Sequence, residues 1–140
     1  MATMMNAYLT FPGTAREAME HYRDVLGGEL QVMTFADAGA EGVPDPSQVM
    51  HAFLGSPAGA LMASDLPPGQ EHRPGSNVAI SLSGDDAPTL RRWWEGLSQG
   101  SEVTMPLERQ MWGDDFGSCT DRFGVHWMVN IAGSAVDGGA

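Results

Sequence analysis

The order of strand, break, helix and strand occurs twice along this chain, and this repeat constrains the fold more than any other feature. A shift of 71 residues places Asn6 on Asn77 and Gly13 on Gly84. The same shift matches Tyr22 with Trp93, Leu26 with Leu97, and Val32 with Val103. Because a repeated element order at a fixed offset marks a repeated structural unit, we predict two similar modules that share one architecture.

The first module begins with a half-buried strand. Polar and apolar side chains alternate over residues 4–11, which is the period of a strand with one covered face. Thr14 and Glu17 then form the pattern of a capping box, and apolar residues at helical spacing continue to Leu26. Gly27 ends this helix. The pattern predicts further strands over 29–35, 49–54 and 58–64, with a loop over 36–48.

The second module repeats this order. Val78, Ile80 and Leu82 alternate with polar or small residues, which predicts a strand over 77–82. An Asp cap and Pro88 then open a helix that ends at Gly100. Further strands are predicted over 102–107, 116–120 and 125–131.

The two modules together define the fold class. We predict an α+β fold in which two tandem βαβββ modules form a cupped, eight-stranded mixed sheet, with two helices on its outer face. The whole chain, residues 1–140, is then a single domain. Module one spans about 4–65, a linker 66–76, module two about 77–132, and a frayed tail 133–140.

The charge balance limits the partners that the chain can bind. Eighteen acidic residues stand against seven basic ones, for a net charge of −11. Nucleic acids and anionic membrane surfaces are disfavoured, because both bind through a basic face. No apolar run approaches the roughly 18 residues that span a bilayer, and no signal peptide is evident. The single cysteine, Cys119, cannot form an internal disulfide, so we expect a cytoplasmic, acidic protein with an unreactive thiol.

The sheet face opposite the helices carries the candidate binding residues. If the alternation of the first strand is propagated, this face holds Asn6, Tyr8, Thr10, His51, Phe53, Asn77, Ala79, Ser81, Met128 and Asn130. The same alternation puts Val49 beside His51. A cup with this aromatic, amide-lined and sparsely charged lining suits a small, partly apolar ligand held by a few hydrogen bonds. The alternative is that the polar face simply meets water, as in many antiparallel sheets.

Trp112 lies in the polar segment 106–117, where an exposed indole is costly. We therefore expect this side chain to cover another part of the structure. It could cover the core of its own module, the ligand cup, or a partner subunit.

Short motifs distributed over the chain resemble those of a known family. They are Ala7-Tyr-Leu-Thr-Phe-Pro-Gly13, Leu26-Gly-Gly28, Met50-His51-Ala52, Met62-Ala-Ser-Asp65, Met105-Pro106-Leu107, Gln110-Met-Trp-Gly-Asp114, and Asp121-Arg-Phe-Gly124 before Trp127. Over residues 4–132 the chain resembles the PhnB-like branch of the vicinal oxygen chelate superfamily, which contains glyoxalases, bleomycin-resistance proteins and dioxygenases. The resemblance implies paired βαβββ modules around a cupped sheet, and a homodimer.

The resemblance also implies where a metal would be bound. Metal-dependent members place one ligand on the first strand of each module and one on a later strand, at positions that align with Asn6, His51, Asn77 and Met128. Only His51 is a good ligand for a divalent cation, because an amide binds weakly and a thioether is too soft. We therefore expect no cofactor. The alternative is a divalent-metal-dependent, glyoxalase-type lyase, isomerase or dioxygenase that uses His51. A metal-free enzyme with His51 as general base is a third possibility.

The favoured function is binding of a small organic molecule in the cup without a metal. The residues predicted to contact this ligand are Asn6, Tyr8, His51, Phe53, Asn77, Trp112 and Met128. The aromatic members supply apolar contact, while the amides and the imidazole orient the ligand. The sequence leaves open the identity of the ligand, whether any reaction is catalysed, and whether each cup is built within one chain or across a dimer.

Overall fold

The computed structural model describes residues 3–67 and 69–133, so the predicted frayed tail lies outside the described residues from 134 onward. The chain divides into two compact units, with the boundary between Arg73 and Pro74. This boundary falls in the segment that the sequence assigns to the linker, residues 66–76.

The first unit is a four-stranded sheet with one helix. Its elements are β1 (Ala7–Phe11), α1 (Ala15–Leu26), β2 (Glu29–Thr34), β3 (Val49–Ser56) and β4 (Gly59–Asp65). The strand order is β1-β4-β3-β2, in which β1 runs parallel to β4 and the other neighbours are antiparallel. A parallel pair needs a long connection between its strands, and here that connection contains α1, β2 and β3.

The second unit repeats this topology. Its elements are β5 (Ile80–Gly84), α2 (Ala87–Ser98), β6 (Glu102–Arg109), β7 (Asp115–Thr120) and β8 (His126–Ile131). The strand order is β5-β8-β7-β6, and β5 runs parallel to β8. The α+β class and the two βαβββ modules are therefore confirmed, and the eight strands form two four-stranded mixed sheets.

The offset between the first strands is 73 residues rather than the predicted 71, whereas the buried leucines in the last turn of each helix, Leu26 and Leu97, keep the predicted offset of 71. Ala7 and Ile80 begin the two first strands and lie 73 residues apart. Pairing with β8 starts only at Ile80, so the predicted strand over 77–82 begins too early, and Asn77 does not correspond to Asn6. Because the side-chain period of a strand is two, an error of two residues leaves the assignment of faces unchanged.

Each helix covers one face of its own sheet. The buried side of α1 consists of Ala15, Ala18, Met19, Tyr22 and Leu26, and α1 packs against β2, β3 and β4. In the second unit α2 buries Leu90 and Leu97, and β8 buries Trp127, Val129 and Ile131 beneath it. These apolar faces form the two cores. Among the described residues, the opposite face of each sheet carries no helix of its own unit.

The start of α1 is held by a carboxylate from β4 rather than by the predicted capping box. Thr14 makes no side-chain capping hydrogen bond. Instead, the backbone N–H of Ala15 donates to Oδ1 of Asp65 at 2.9 Å, and the backbone N–H of Val49 donates to Oδ2 at 2.8 Å. The capping-box prediction is thus wrong, because Asp65, which is distant in the sequence, accepts the hydrogen bond at the helix N-terminus instead. The predicted Asp cap of α2 is confirmed, and Asp86 supplies it: its side chain accepts from the backbone N–H of Thr89 at 3.2 Å.

The two capping residues should differ in their effect on stability. We expect Asp86→Ala to lower the free energy of unfolding by about 1 kcal/mol, the usual cost of losing a side-chain cap. Thr14→Ala should change it by less than about 0.5 kcal/mol, because no capping bond is lost. Urea denaturation of both variants measures these values. An equal loss in the two variants would show that the Thr14 capping box forms after all.

Asp65 should be among the residues most important to the stability of the first unit. Replacing it with Ala leaves two N–H groups in buried surroundings without an acceptor, at about 1–3 kcal/mol each. We therefore expect Asp65→Ala to lower the free energy of unfolding by about 3 kcal/mol in urea denaturation. The matched control is Glu71→Ala, which removes an exposed carboxylate and should cost less than about 0.5 kcal/mol. A neutral Asp65→Ala variant would contradict the assigned role.

Candidate functional site

The face of the first sheet that lies opposite α1, called here the open face, carries an aromatic and thioether surface. Its residues alternate with buried ones along β3 and β4. Tyr8, Met62, Phe53 and Gln31 form one row across the four strands, since each pairs with the next. The alternation of the first strand therefore carries across the sheet as the sequence predicts.

A β-bulge lies beside this row and changes the predicted face of one residue. Met33 pairs with His51, whereas Thr34 pairs with Val49, so Met50 is an extra residue in β3. The extra residue reverses the alternation, and Val49 is buried with the helix side of the sheet. The prediction that Val49 shares a face with His51 is wrong for this reason.

His51 is the central polar group of the open face. Its ring lies 5.9 Å from the ring of Tyr8, centroid to centroid, at an interplanar angle of 36°. A groove of about 420 Å³ is lined by Gln31, Val32, Met33, His51 and Phe53. His51 and Phe53 therefore meet in one groove, and Tyr8 borders His51.

The sequence reasoning missed the contribution of β2 to this groove. Gln31 and Met33 line it, and neither was among the predicted contacts. The alternation of Glu29, Gln31 and Met33 with Leu30 and Val32 in the sequence could have predicted that Gln31 and Met33 share one face of β2. Asn6, which was among the predicted contacts, lies one residue before β1 and is partly exposed.

The corresponding face of the second sheet is richer in hydroxyl groups. Met128 pairs with Ser81 on one side and with Ser118 on the other. The hydroxyl of Ser118 lies 2.6 Å from that of Thr104. Met128 lines a groove of about 480 Å³ that Asn77 also lines, although Asn77 is exposed and lies before β5.

Both ring nitrogens of His126 have partners at the end of this groove. Nε2 lies 2.7 Å from the carbonyl oxygen of Gly75, and Nδ1 lies 2.8 Å from the hydroxyl of Thr120. Because a carbonyl oxygen can only accept, Nε2 donates to Gly75, and Nδ1 and the Thr120 hydroxyl share the second hydrogen bond. His126 therefore fixes the segment that enters β5 and has no nitrogen free for a ligand in this arrangement.

Trp112 lies in the hairpin between β6 and β7 and is 54% exposed, so it does not cover the core of its own unit. Its ring meets that of Phe116 edge to face at 6.3 Å. Asp114 anchors the hairpin by accepting from the Asn130 amide at 3.0 Å and from the backbone N–H of Gly133 at 2.9 Å. These hydrogen bonds stabilise the carboxylate and hold the pKa of Asp114 below its usual range.

The donor groups do not fit a hard divalent cation. In the described ranges 3–67 and 69–133, no group of three or more His, Cys, Asp or Glu side chains could hold a metal ion. Of the four aligned ligand positions, only His51 offers an imidazole; the others are the amides of Asn6 and Asn77 and the thioether of Met128. Cys119 is buried, and burial raises the pKa of its thiol, which disfavours the thiolate.

Among the helices within residues 3–67 and 69–133, none is long and apolar enough to cross a bilayer.

Comparison with known proteins agrees with this architecture. The sequence profile of the Glyoxalase/Bleomycin resistance protein/Dioxygenase superfamily matches residues 5–129. Protein YjdN from Escherichia coli (strain K12) is 28% identical over 140 aligned positions, covering 91% of this chain and 94% of that protein. The crystal structure of protein PA1353 from Pseudomonas aeruginosa is 38% identical with a TM-score of 0.85, covering 95% of this chain and 100% of that one.

A more distant structure shares the fold. A protein described as a putative 3-demethylubiquinone-9 3-methyltransferase, PhnB protein, from Bacillus cereus is 20% identical with a TM-score of 0.74. The match covers 93% of this chain and 100% of that one. The predicted superfamily is confirmed by the sequence profile, and the chain belongs to the Glyoxalase/Bleomycin resistance protein/Dioxygenase superfamily.

Proposed function

We propose that this protein binds a small organic molecule on the open face of its first sheet, without a divalent metal. The observation that carries this proposal is the groove of about 420 Å³ lined by Met33, His51 and Phe53 together with Gln31 and Val32. Its volume falls in the usual range for small-molecule sites, and its lining combines apolar side chains with a few polar ones.

The exposed apolar area of this face favours the hypothesis that a ligand covers it over the alternative that it only meets water. Tyr8 is 51% exposed and Met33 is 45% exposed, and both belong to the open face. A sheet face that only meets water normally carries polar side chains at such positions. A ligand that covered these rings and thioethers would remove apolar surface from water at about 25 cal/mol per Å².

The polar groups of the groove are few and can orient a ligand. The imidazole of His51 and the amide of Gln31 each offer a donor and an acceptor. Neither carries a fixed charge, and the acidic residue of β2, Glu29, begins that strand and is not among the residues that line the groove. The groove therefore suits a flat, largely uncharged molecule with one or two hydrogen-bonding groups.

The proposal includes the remaining predicted contacts. Asn6, before β1, would add an amide to the first site. In the second unit, Asn77 and Met128 would contact a ligand in the groove that they both line. Trp112 would also contact a ligand, because its indole is exposed within its own unit and is available for that contact.

The homodimer implied by the resemblance stays a prediction. Light scattering tests it, and we expect a mass near twice 14.9 kDa.

Binding can be tested with N-phenyl-1-naphthylamine, a neutral aromatic probe whose fluorescence rises in apolar sites. We expect saturable binding to the native protein that Tyr8→Ala and Phe53→Ala each weaken about tenfold, since each removes a ring from the site. Bound probe should also raise the melting temperature, because it stabilises only the folded protein.

The matched control is Phe123→Ala, which removes a phenyl ring from the turn between β7 and β8 and should leave probe affinity unchanged. Affinity should also be the same with and without EDTA. Equal affinity in the Phe53 and Phe123 variants would overturn the proposed site. Loss of binding in EDTA, restored by a divalent cation, would instead favour the metal-dependent alternative around His51.

A further inference from the structure

The polar centre of the open face is bordered by two sulfur atoms. Met33 on β2 pairs directly with His51 on β3. Met62 on β4, the strand on the other side of β3, pairs with Phe53 and so lies diagonal to His51. One imidazole thus has a thioether side chain on each side, on three adjacent strands of the sheet.

We propose that Met33, His51 and Met62 bind one cuprous ion. An imidazole and two thioethers form a neutral, soft donor set. That set is a poor match for hard divalent cations, which need carboxylates or several imidazoles, but it is the chemistry that Cu(I) prefers. The same residues that make a divalent metal unfavourable here therefore make Cu(I) favourable.

The sheet geometry brings the three donors within reach of one ion. Directly opposite residues have Cβ atoms about 4.5–5.5 Å apart, and diagonal neighbours are about 7–8 Å apart. Methionine has three rotatable bonds and adapts to irregular gaps, so each sulfur can turn toward the imidazole. Met33 is 45% exposed and can do so without disturbing the core.

Two further features favour a cation at this point. The ring of Tyr8 lies 5.9 Å from that of His51, centroid to centroid, and an aromatic ring attracts a cation that lies over its face. The net charge of −11 attracts cations to the protein as a whole. The Cu(I) site lies on the same open face as the proposed organic ligand but does not depend on that ligand.

The test is anaerobic titration of the full-length protein with Cu(I), in competition with a chromogenic Cu(I) chelator. All proteins in the titration carry Cys119→Ala, so that the thiol cannot bind Cu(I). We expect one equivalent of Cu(I) to be retained. Met33→Leu and Met62→Leu should each weaken binding at least about tenfold, the lower end of the cost of losing even an outer-shell partner of a metal site. His51→Ala should abolish it.

The matched control is Met111→Leu, which removes a thioether that is 97% exposed and lies in the second unit. It should bind Cu(I) like the protein that carries Cys119→Ala alone. Methionine methyl NMR gives a second readout, in which Cu(I) should shift the Met33 and Met62 signals but not that of Met111. Equal affinity in the Met33, Met62 and Met111 variants, or Cu(I) bound by the double variant Met33→Leu/Met62→Leu, would overturn the site.

Failure of this site and failure of the proposed function are distinguishable. Leucine keeps most of the apolar volume of methionine, so N-phenyl-1-naphthylamine should still bind the Met33→Leu and Met62→Leu variants. Conversely, Phe53→Ala removes a ring from the organic site and leaves all three Cu(I) ligands in place.

Discussion

The buried carboxylate of Asp65 holds three elements of the first unit together. It lies at the end of β4, accepts from the first residue of α1, and accepts from the first residue of β3. It thereby fixes the N-terminus of α1 against the strands that the helix covers. Its hydrogen bond to Val49 also fixes the start of β3, two residues before His51.

The second unit reaches the same topology with a different buried acid. Ile131 occupies the place of Asp65, since both end the strand that pairs in parallel with the first strand of their unit. Asp121 supplies the buried carboxylate instead, accepting from the indole N–H of Trp127 and from the backbone N–H groups of Phe123 and Val125, each at 2.9 Å. The two modules therefore share a fold while their polar cores differ. Their buried carboxylates therefore do not coincide when the modules are aligned.

Local patterns in the sequence predicted the fold class and most of the elements. Alternation placed Tyr8 and Phe53 on one face, and the Asp86 cap opened α2 as expected. The errors arose where a distant or irregular contact overrode the local pattern. Asp65 lies far along the chain from Thr14, so no local motif reveals that it replaces the cap. Likewise, the bulge at Met50 has no sequence signal of its own, and the order of strands was needed before Met33 and Gln31 could be placed beside His51.

That bulge has a consequence for how this surface can change. Before Met50, the side chains of β3 belong to the core, and after it the alternation runs in the opposite phase. In a regular strand, residues two apart share a face, so it is the extra residue Met50 that lets Val49 and His51 lie on opposite faces. Deleting Met50 would make Val49 and His51 neighbours, which also places them on opposite faces, so β3 could pair with β2 without a bulge. The strand can therefore change its length by this one residue while the core and the open face keep their side chains.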